Sequence, residues 1–322
     1  MSRSFSWRCR TATDNETSIE TSPRRSALAS LPRNVWAVSL TSFFTDVSSE
    51  MVINILPLFL ANVLGVRTNL IGVIEGVAEA TASLLKLFSG WLSDKLRARK
   101  WLAVAGYGLS TLSKPFFYFA DSWGLVAGVR WADRVGKGIR TAPRDALIAD
   151  SVSPETRGLA FGFQRAADTA GAMIGLLVAL GIVWFAQSNS ATLGLAAFRT
   201  VVLASLIPAA LAVLVLAVGA RDVPVAGPNT MPKFAFRSLG RPFMVFMVIV
   251  ALFDLGNSSD AFLVLRAQER GLSVLGILGM LAVFNLVYAL VSTPAGSLSD
   301  RVGRRRLVIG GWLVYAATYF GF

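Results

Sequence analysis

The chain has 322 residues, of which 54% are hydrophobic and only 16% are charged, and its mean hydropathy is +0.59. Water-soluble domains carry about 25% charged residues, so this chain has too little polar surface to cover itself in water. Its net charge of +12 falls in short basic clusters between apolar runs. Such clusters are typical of membrane topology signals, and they argue against nucleic acid as a partner.

Several kinds of chemistry are excluded by residues that the chain lacks. It contains no histidine, which removes histidine-based catalysis and histidine metal sites, and Cys9 is its single cysteine. No G-x-x-x-x-G-K-[ST] loop is present to bind ATP. We therefore expect no enzyme, no cofactor and no metal, with a Ser–Lys or paired-Asp intramembrane enzyme as the remaining enzymatic alternative.

The first 33 residues are rich in Ser, Thr and Arg and contain no apolar core, so they are not a signal peptide. We expect residues 1–33 to form a disordered cytoplasmic tail, with an upstream false start of the reading frame as the alternative.

Nine segments downstream are long and apolar enough to be membrane helices, which need about 20 residues each. They lie near 35–62, 70–93, 101–120, 123–147, 158–185, 192–219, 242–265, 272–298 and 306–322. The sequence therefore predicts an all-α polytopic membrane protein. Only Arg67, Arg266 and Arg270 fall in loops on the side away from the N-terminus, so the N-terminus is predicted to be cytoplasmic.

The longest internal break, residues 220–241, combines prolines, glycine and bases, and it predicts a cytoplasmic linker. It divides the chain into an N-terminal six-helix bundle, 34–219, and a partial C-terminal bundle, 242–322.

An internal repeat connects the two parts. The second helix of each part ends in G-x-L-S-D-[KR] followed by bases, once at 90–100 and once at 296–306. In the first helix of each part, residues 48–50 (Ser-Ser-Glu) correspond to 258–260 (Ser-Ser-Asp).

The two loops resemble the signature cytoplasmic loop of the major facilitator superfamily. The second copy fits throughout, whereas the first has Arg97 in place of the usual glycine and Ala98 in place of the usual arginine. The resemblance implies that these loops help to lock one face closed. The gating residues that it implies are Gly90, Asp94, Arg99, Gly296, Asp300, Arg301 and Arg304.

Three further motifs resemble the same family. Residues 130–138 resemble its fourth-helix motif R-x-x-x-R-x-x-x-G, and residues 154–158 resemble its loop between helices four and five. Gly171 and Gly175 resemble the G-x-x-x-G of the antiporter motif in helix five, although the usual proline is Leu176 here. Family members have two six-helix halves, so the resemblance implies a major facilitator fold whose C-terminal half is incomplete, as in a truncated sequence.

Ionisable residues inside membrane helices mark pathways by default. The fourth predicted helix carries a stripe of bases, joined by two acids, on one helical face. We expect the cytoplasmic members, Arg140 and Arg144, to snorkel to the interface. The stripe consists of Arg130, Asp133, Arg134, Lys137, Arg140, Arg144 and Asp145. The deeper Arg130, Asp133 and Arg134 are the candidates for transport.

The first predicted helix places Asp46, Glu50 and Asn54 on one face. The two acids either counter the basic stripe as structural ion pairs or bind protons in a low-dielectric cavity. Glu75, Glu79 and Lys86 of the second helix suggest an internal salt bridge.

Helices five and seven supply the remaining candidates. Gln164 is a polar contact in helix five, and Arg165 is expected to pair with Asp168 three residues later. Asp254 and Asn257 of helix seven occupy the place that corresponds to Asp46 and Glu50, and we extend the proton hypothesis to Asp254.

These features predict a secondary transporter of a bacterial inner membrane that works by alternating access. We expect proton-coupled efflux of a drug-like or small-metabolite substrate, as in an antiporter. The basic stripe favours an alternative, an organic-anion or phosphate-ester transporter. An inactive transporter fragment is the third possibility.

Overall fold

The structure is a computed structural model that describes residues 30–187, 191–223 and 240–320. Most of the predicted tail, and the predicted linker from 224 to 239, lie outside the described residues. The helices are α1 (Arg33–Ile53), α2 (Leu56–Asn62), α3 (Thr68–Leu96), α4 (Arg99–Ser113), α5 (Trp123–Ser151), α6 (Arg157–Gln187), α7 (Leu195–Gly219), α8 (Arg241–Leu255), α9 (Asp260–Glu269), α10 (Val274–Val302) and α11 (Arg304–Phe320).

Each predicted segment corresponds to a helix, although residues 118–120, 192–194 and 272–273 are not helical. Two segments are each divided into two α-helices. The first is divided into α1 and α2 at Asn54 and Ile55. Pro57 explains the break, because its ring lacks an N–H and clashes with the preceding turn. The seventh is divided into α8 and α9 at residues 256–259, where the Ser259 hydroxyl accepts a hydrogen bond from the Ala261 N–H and caps α9.

Five helical segments of the described chain are long and apolar enough to cross a membrane: 33–62, 154–187, 195–219, 241–269 and 274–291. Many large apolar side chains point outward, including Phe185 at 92% and Leu255 at 83% exposure. A surface of this kind is unfavourable in water and suits lipid. The prediction of an all-α integral membrane protein is therefore confirmed.

Helix α5 lies between α3 and α4, and glycines let it approach both. A Cβ at Gly136 would meet the Ser110 hydroxyl on α4 at 2.5 Å, and one at Gly138 would meet the Leu85 Cβ on α3 at 2.6 Å. This close packing explains how a helix with so many charges is held in the bundle interior.

The N-terminal half packs as a unit, with α1 against α6 and α7. It touches the second half through α2 and α3 against α9, and through α6 against α10. One apolar core joins Leu56, Phe59 and Ile71 to Leu265 and Ile277 at this contact. The halves therefore meet at the ends of the helices that lie near residues 55–71 and 260–278.

Arg97, which departs from the family loop, ends α3 with a φ of +50°. Gly303, the corresponding residue of the second copy, has a φ of +94°. Glycine adopts this left-handed region without the Cβ penalty. The helix end that the motif specifies is therefore kept in the first copy, with arginine in a conformation that glycine adopts more easily.

Candidate functional site

A cavity of about 720 Å³ lies between the two halves. Helices α1, α3 and α5 form its wall on the N-terminal side, and the break between α8 and α9 forms the opposing wall. Most of its lining side chains are polar or charged. The ionisable ones are Asp46, Glu50, Glu75, Glu79, Arg130, Arg134, Lys137, Arg140, Asp254 and Asp260.

Arg130 is the most enclosed charge of this lining, at 3% exposure. Its Nη2 lies 2.5 Å from Glu75 Oε2, and its Nε donates to Glu75 Oε1 at 3.0 Å. Arg134 is similarly held by Glu79 Oε1, at 2.9 Å from its Nη1. The acids of α3 therefore neutralise the deep bases of α5. The expected internal salt bridge of α3 with Lys86, and the alternative in which Asp46 and Glu50 counter this part of the stripe, are both wrong.

Asp133 is buried beside these pairs, with Oδ2 at 3.6 Å from Arg130 Nη1 and 3.4 Å from Arg134 Nε. It does not line the large cavity. Asp133 instead lines a small separate pocket of about 10 Å³. Ser49 and Arg130 line both this pocket and the large cavity.

Lys137 and Arg140 continue the lining away from the paired arginines. Arg140 is 7% exposed, donates from Nη1 to the Ser110 hydroxyl at 2.9 Å, and stacks on the Tyr107 ring at 4.5 Å. The expectation that Arg140 snorkels to the interface is therefore wrong, because α4 holds its guanidinium inside the bundle. Arg144 pairs with its neighbour Asp145 at 2.8 Å.

Asp46, Glu50 and Asn54 line the opposite side of this region from α1. The Asn54 amide donates to Glu50 Oε2 at 2.8 Å. Neither Asp46 nor Glu50 has a basic nitrogen within 4.0 Å among the described residues. The two acids are thus available to a ligand or a proton.

The second half contributes Asp254, Asn257, Ser258 and Asp260 to the lining. The corresponding serine–acid segments of the two halves therefore meet at one cavity, through Ser49 and Glu50 on one side and residues 258–260 on the other. Helix α11 supports this wall, because Tyr315 donates to Asn257 and the Tyr319 hydroxyl lies 2.6 Å from Ser258 Oγ.

Lys114 is a residue of this region that sequence reasoning missed. It follows α4, is 4% exposed, and its Nζ donates to the Ser48 and Ser49 hydroxyls at 2.5 and 3.2 Å. Lys114 lies in the third predicted segment of the N-terminal half. Tyr319, which contacts Ser258, has a similar place in the third predicted segment of the C-terminal half. A single lysine in an otherwise apolar predicted helix was the signal that could have identified it.

Gln164 and Asp168 do not line the cavity. The Gln164 amide lies 2.7 Å from Asp168 and donates to the Ser42 hydroxyl of α1 at 3.3 Å. The predicted pair of Arg165 with Asp168 is present, at 3.8 Å. The contact of Gln164 with Ser42 connects α6 to α1.

At the first loop, Arg99 pairs with Asp94 at 3.4 Å and with Asp150 at 2.9 Å, and so connects the beginning of α4 to the end of α5. Gly90 packs against α5, where an added Cβ would lie 3.4 Å from Ala142. In the second loop, the side chains of Asp300, Arg301 and Arg304 lie outside the described residues, and Gly296 is within α10.

Within the described ranges, no group of three or more Cys, His, Asp or Glu side chains has a geometry that could hold a metal ion.

Comparison with known proteins identifies relatives along most of the chain. Residues 38–322 match the family model of the Major Facilitator Superfamily. An uncharacterized MFS-type transporter of Methanocaldococcus jannaschii is 34% identical over 299 residues, which are 91% of this chain and 72% of that protein. An uncharacterized protein of Mycobacterium tuberculosis is 35% identical over 152 residues, which are 47% of this chain and 37% of that protein.

Solved structures show the same architecture. A bacterial homolog of the human lysosomal transporter Spinster, inward-facing and unoccupied, has a TM-score of 0.60 at 18% identity, over 85% of this chain and 64% of that one. A D-xylose–proton symporter has a TM-score of 0.57 at 15% identity, over 84% of this chain and 68% of that one. At these identities the likeness concerns the fold alone. The chain spans less than two thirds of the first of these structures.

Proposed function

Since the chain belongs to the Major Facilitator Superfamily, we propose that it is a secondary active transporter that moves a small solute through the cavity by alternating access. We place it in a bacterial inner membrane with its N-terminus in the cytoplasm. The solute is drug-like or a small metabolite, since about 720 Å³ is within the range of pockets that enclose such molecules.

The proposal rests on Asp46 and Glu50, two acids that line the cavity and lack a fixed counter-ion in the described part of the chain. The deep arginines of the lining are held by Glu75 and Glu79, whereas the two acids of α1 have no basic partner within 4.0 Å among the described residues. A carboxylate that faces a solute cavity without a fixed counter-ion can bind either a proton or a cation. Because a proton and a cationic solute compete for the same carboxylate, the transport of one is coupled to the transport of the other.

Such competition favours exchange, in which protons that enter displace a cationic solute that leaves. The contact of α6 with α1 supports a role for this region. A Cβ at Gly175 would lie 2.5 Å from the Val47 carbonyl oxygen, next to Asp46. The G-x-x-x-G of α6 therefore holds the segment of α1 that carries the acid. We propose efflux by proton antiport on these grounds.

Anion transport is the second candidate function. Lys137 and Arg140 face the cavity, and neither has a carboxylate within 4.0 Å among the described residues. They are therefore free to contact a carboxylate or phosphate ester.

Proton release tests the leading proposal. Purified protein in a weakly buffered detergent solution is mixed with a panel of organic cations, and the pH change is recorded. We expect a binding cation to release protons, and Asp46→Asn to remove that release. Asp121→Asn is the matched control, because Asp121 is exposed in the loop before α5, and it should behave as wild type. Cation binding without proton release, or release unchanged in Asp46→Asn, contradicts the proposal.

A further inference from the structure

The cavity presents unpaired charges of both signs. Lys137 and Arg140 on α5 supply the positive side, and Asp46 and Glu50 on α1 supply the negative side. Among the described residues, these four charges do not form ion pairs with each other. Asp254 and Asp260 of the second half add negative charge to the opposing wall, and neither has a basic nitrogen within 4.0 Å among the described residues.

Arg140 is held away from α1 by its own contacts. Its guanidinium stacks on Tyr107 at 4.5 Å and donates to Ser110 at 2.9 Å, and both partners belong to α4. Arg140 and Arg144 are the bases that act on Asp46 electrostatically, yet neither comes within ion-pair distance of it. Arg144 is occupied by Asp145 at 2.8 Å. The Arg140 guanidinium is therefore fixed on α4 and not on α1, which carries Asp46.

Within the described part of the chain, the Lys137 ammonium, unlike the Arg140 guanidinium, is not held by hydrogen-bond or ring contacts with a neighbouring helix. Glu79 is the acid that acts on it, but Glu79 already binds Arg134 at 2.9 Å. Among the residues that the structure describes, the Lys137 ammonium forms no ion pair and donates no hydrogen bond. A charge that borders a cavity without a partner gains most from a ligand of opposite sign.

The charged lining also includes apolar side chains. Ile53 and Pro57 of α1 and α2, and Phe262 and Val264 of α9, line the same cavity. A ligand with an uncharged body and a charge at each end would therefore match the lining better than a purely cationic or purely anionic solute.

We infer that the cavity binds a dipolar solute, with its cationic group at Asp46 and Glu50 and its carboxylate or other anionic group at Lys137 and Arg140. This inference rests on the proposed transport function and specifies its substrate class. It unites the two candidate functions, because one of them used unpaired acids of the lining and the other used unpaired bases.

The test compares matched probes on the purified full chain in nanodiscs by isothermal titration calorimetry. The dipolar probes are 4-aminobutyrate, 6-aminohexanoate and 8-aminooctanoate. Hexylamine and hexanoate carry one charge each on the same six-carbon body. We expect one dipolar probe to bind at least about tenfold more tightly than either single-charge probe, since each charged end adds a charge-assisted contact.

Charge-removing variants identify the two ends. Lys137→Gln should lower the affinity for the dipolar probe to that for hexylamine, and Asp46→Asn should lower it to that for hexanoate. Lys137 is the base to change, because Arg140 also packs on α4 and its variant can disturb folding. Arg157→Gln removes an exposed base at the beginning of α6 and should leave all affinities unchanged. Each variant is checked for a wild-type elution volume and melting temperature.

The other outcomes overturn the inference in distinguishable ways. If hexylamine binds as tightly as the dipolar probes and Lys137→Gln has no effect, the inference fails while cation transport stands. If hexanoate binds as tightly and Asp46→Asn has no effect, the inference and the cation proposal both fail and anion transport stands. If none of these probes binds while organic cations still release protons, the substrate class is wrong and the transport proposal survives. If none of the probes binds and no organic cation releases protons, the inference and the transport proposal are both wrong.

Discussion

Arg130 and Glu75 form an ion pair in a part of the bundle where both side chains are nearly inaccessible to solvent. Removing two charges from water is costly, and the mutual attraction offsets that cost only when the geometry is good and further groups assist. Asp133 supplies such assistance at 3.6 Å from Arg130. The pair therefore explains how α5 carries a deep arginine without a ligand.

The variant Glu75→Gln should destabilise the protein by about 3 kcal/mol, because it leaves the Arg130 charge buried with only weaker partners. Thermal unfolding in detergent measures the change. Glu269→Gln is the control, since Glu269 and its partner Arg266 are 58% and 45% exposed and the loss of this pair should cost less than about 1 kcal/mol. Equal melting temperatures for the two variants would refute the argument from burial.

Small residues determine how closely the helices approach each other. Gly171 and Gly175 on α6 face the backbone of α1 at Phe43 and Val47. Carbonyl oxygens cannot rotate away as side chains do, so an added methyl group must move one helix away from the other.

The variant Gly175→Ala should therefore destabilise the protein, by about 1–3 kcal/mol, through overpacking at Val47. Gly181→Ala is the control on the same helix, because a Cβ there meets nothing within 4 Å. It should be neutral or stabilising, since alanine is the better helix former by about 1 kcal/mol. The melting temperatures of both variants in detergent test this, and destabilisation by Gly181→Ala alone would contradict it.

At the scale of the molecule, the two halves pack together at one end. The apolar core that joins them contains Phe59 and Ile71 on one side and Leu265 and Ile277 on the other. The loops beside this contact, 63–67 and 270–273, are those that the distribution of bases predicts to be outside. We therefore expect the cavity to be reached from the cytoplasmic end.

Labelling of an introduced cysteine tests this expectation. Cys9 is the single native cysteine, so Cys9→Ser gives a cysteine-free background. Ile53→Cys places a thiol in the cavity lining, and a membrane-impermeant maleimide should label it faster in inside-out than in right-side-out vesicles. Asp121→Cys, in the loop before α5, should show the reverse preference. Faster labelling of Ile53→Cys from outside would mean that the cavity opens at the other end.

Much of the fold could be predicted from the sequence, because the membrane imposes a simple rule. A spanning segment must be apolar and must satisfy its own backbone hydrogen bonds, so composition alone indicated the helices. The breaks after Ile53 and Leu255 were not predicted. A hydropathy pattern does not change when a proline or a glycine interrupts a continuous apolar run.

The candidate site was predicted in part. Seven of the ten proposed pathway residues line the cavity, namely Asp46, Glu50, Asn54, Arg130, Arg134, Asp254 and Asn257. The positions on α1 and α5 followed from helical periodicity and from the repeat. The pairing of Glu75 with Arg130 could not be predicted, because periodicity fixes the face of a helix but not the neighbour that it meets. Lys114 was missed although a lone charge in a predicted membrane segment marks it as a candidate.

The sequence by itself determined that this protein is a helical membrane protein of the Major Facilitator Superfamily, since hydropathy, bases in loops and repeated motifs are all local properties. Only the tertiary structure decided which charges are neutralised and which remain open to a solute. That division depends on distances between side chains on different helices. A difference of a few ångströms makes Arg130 part of an ion pair and leaves Lys137 and Asp46 facing the cavity without one.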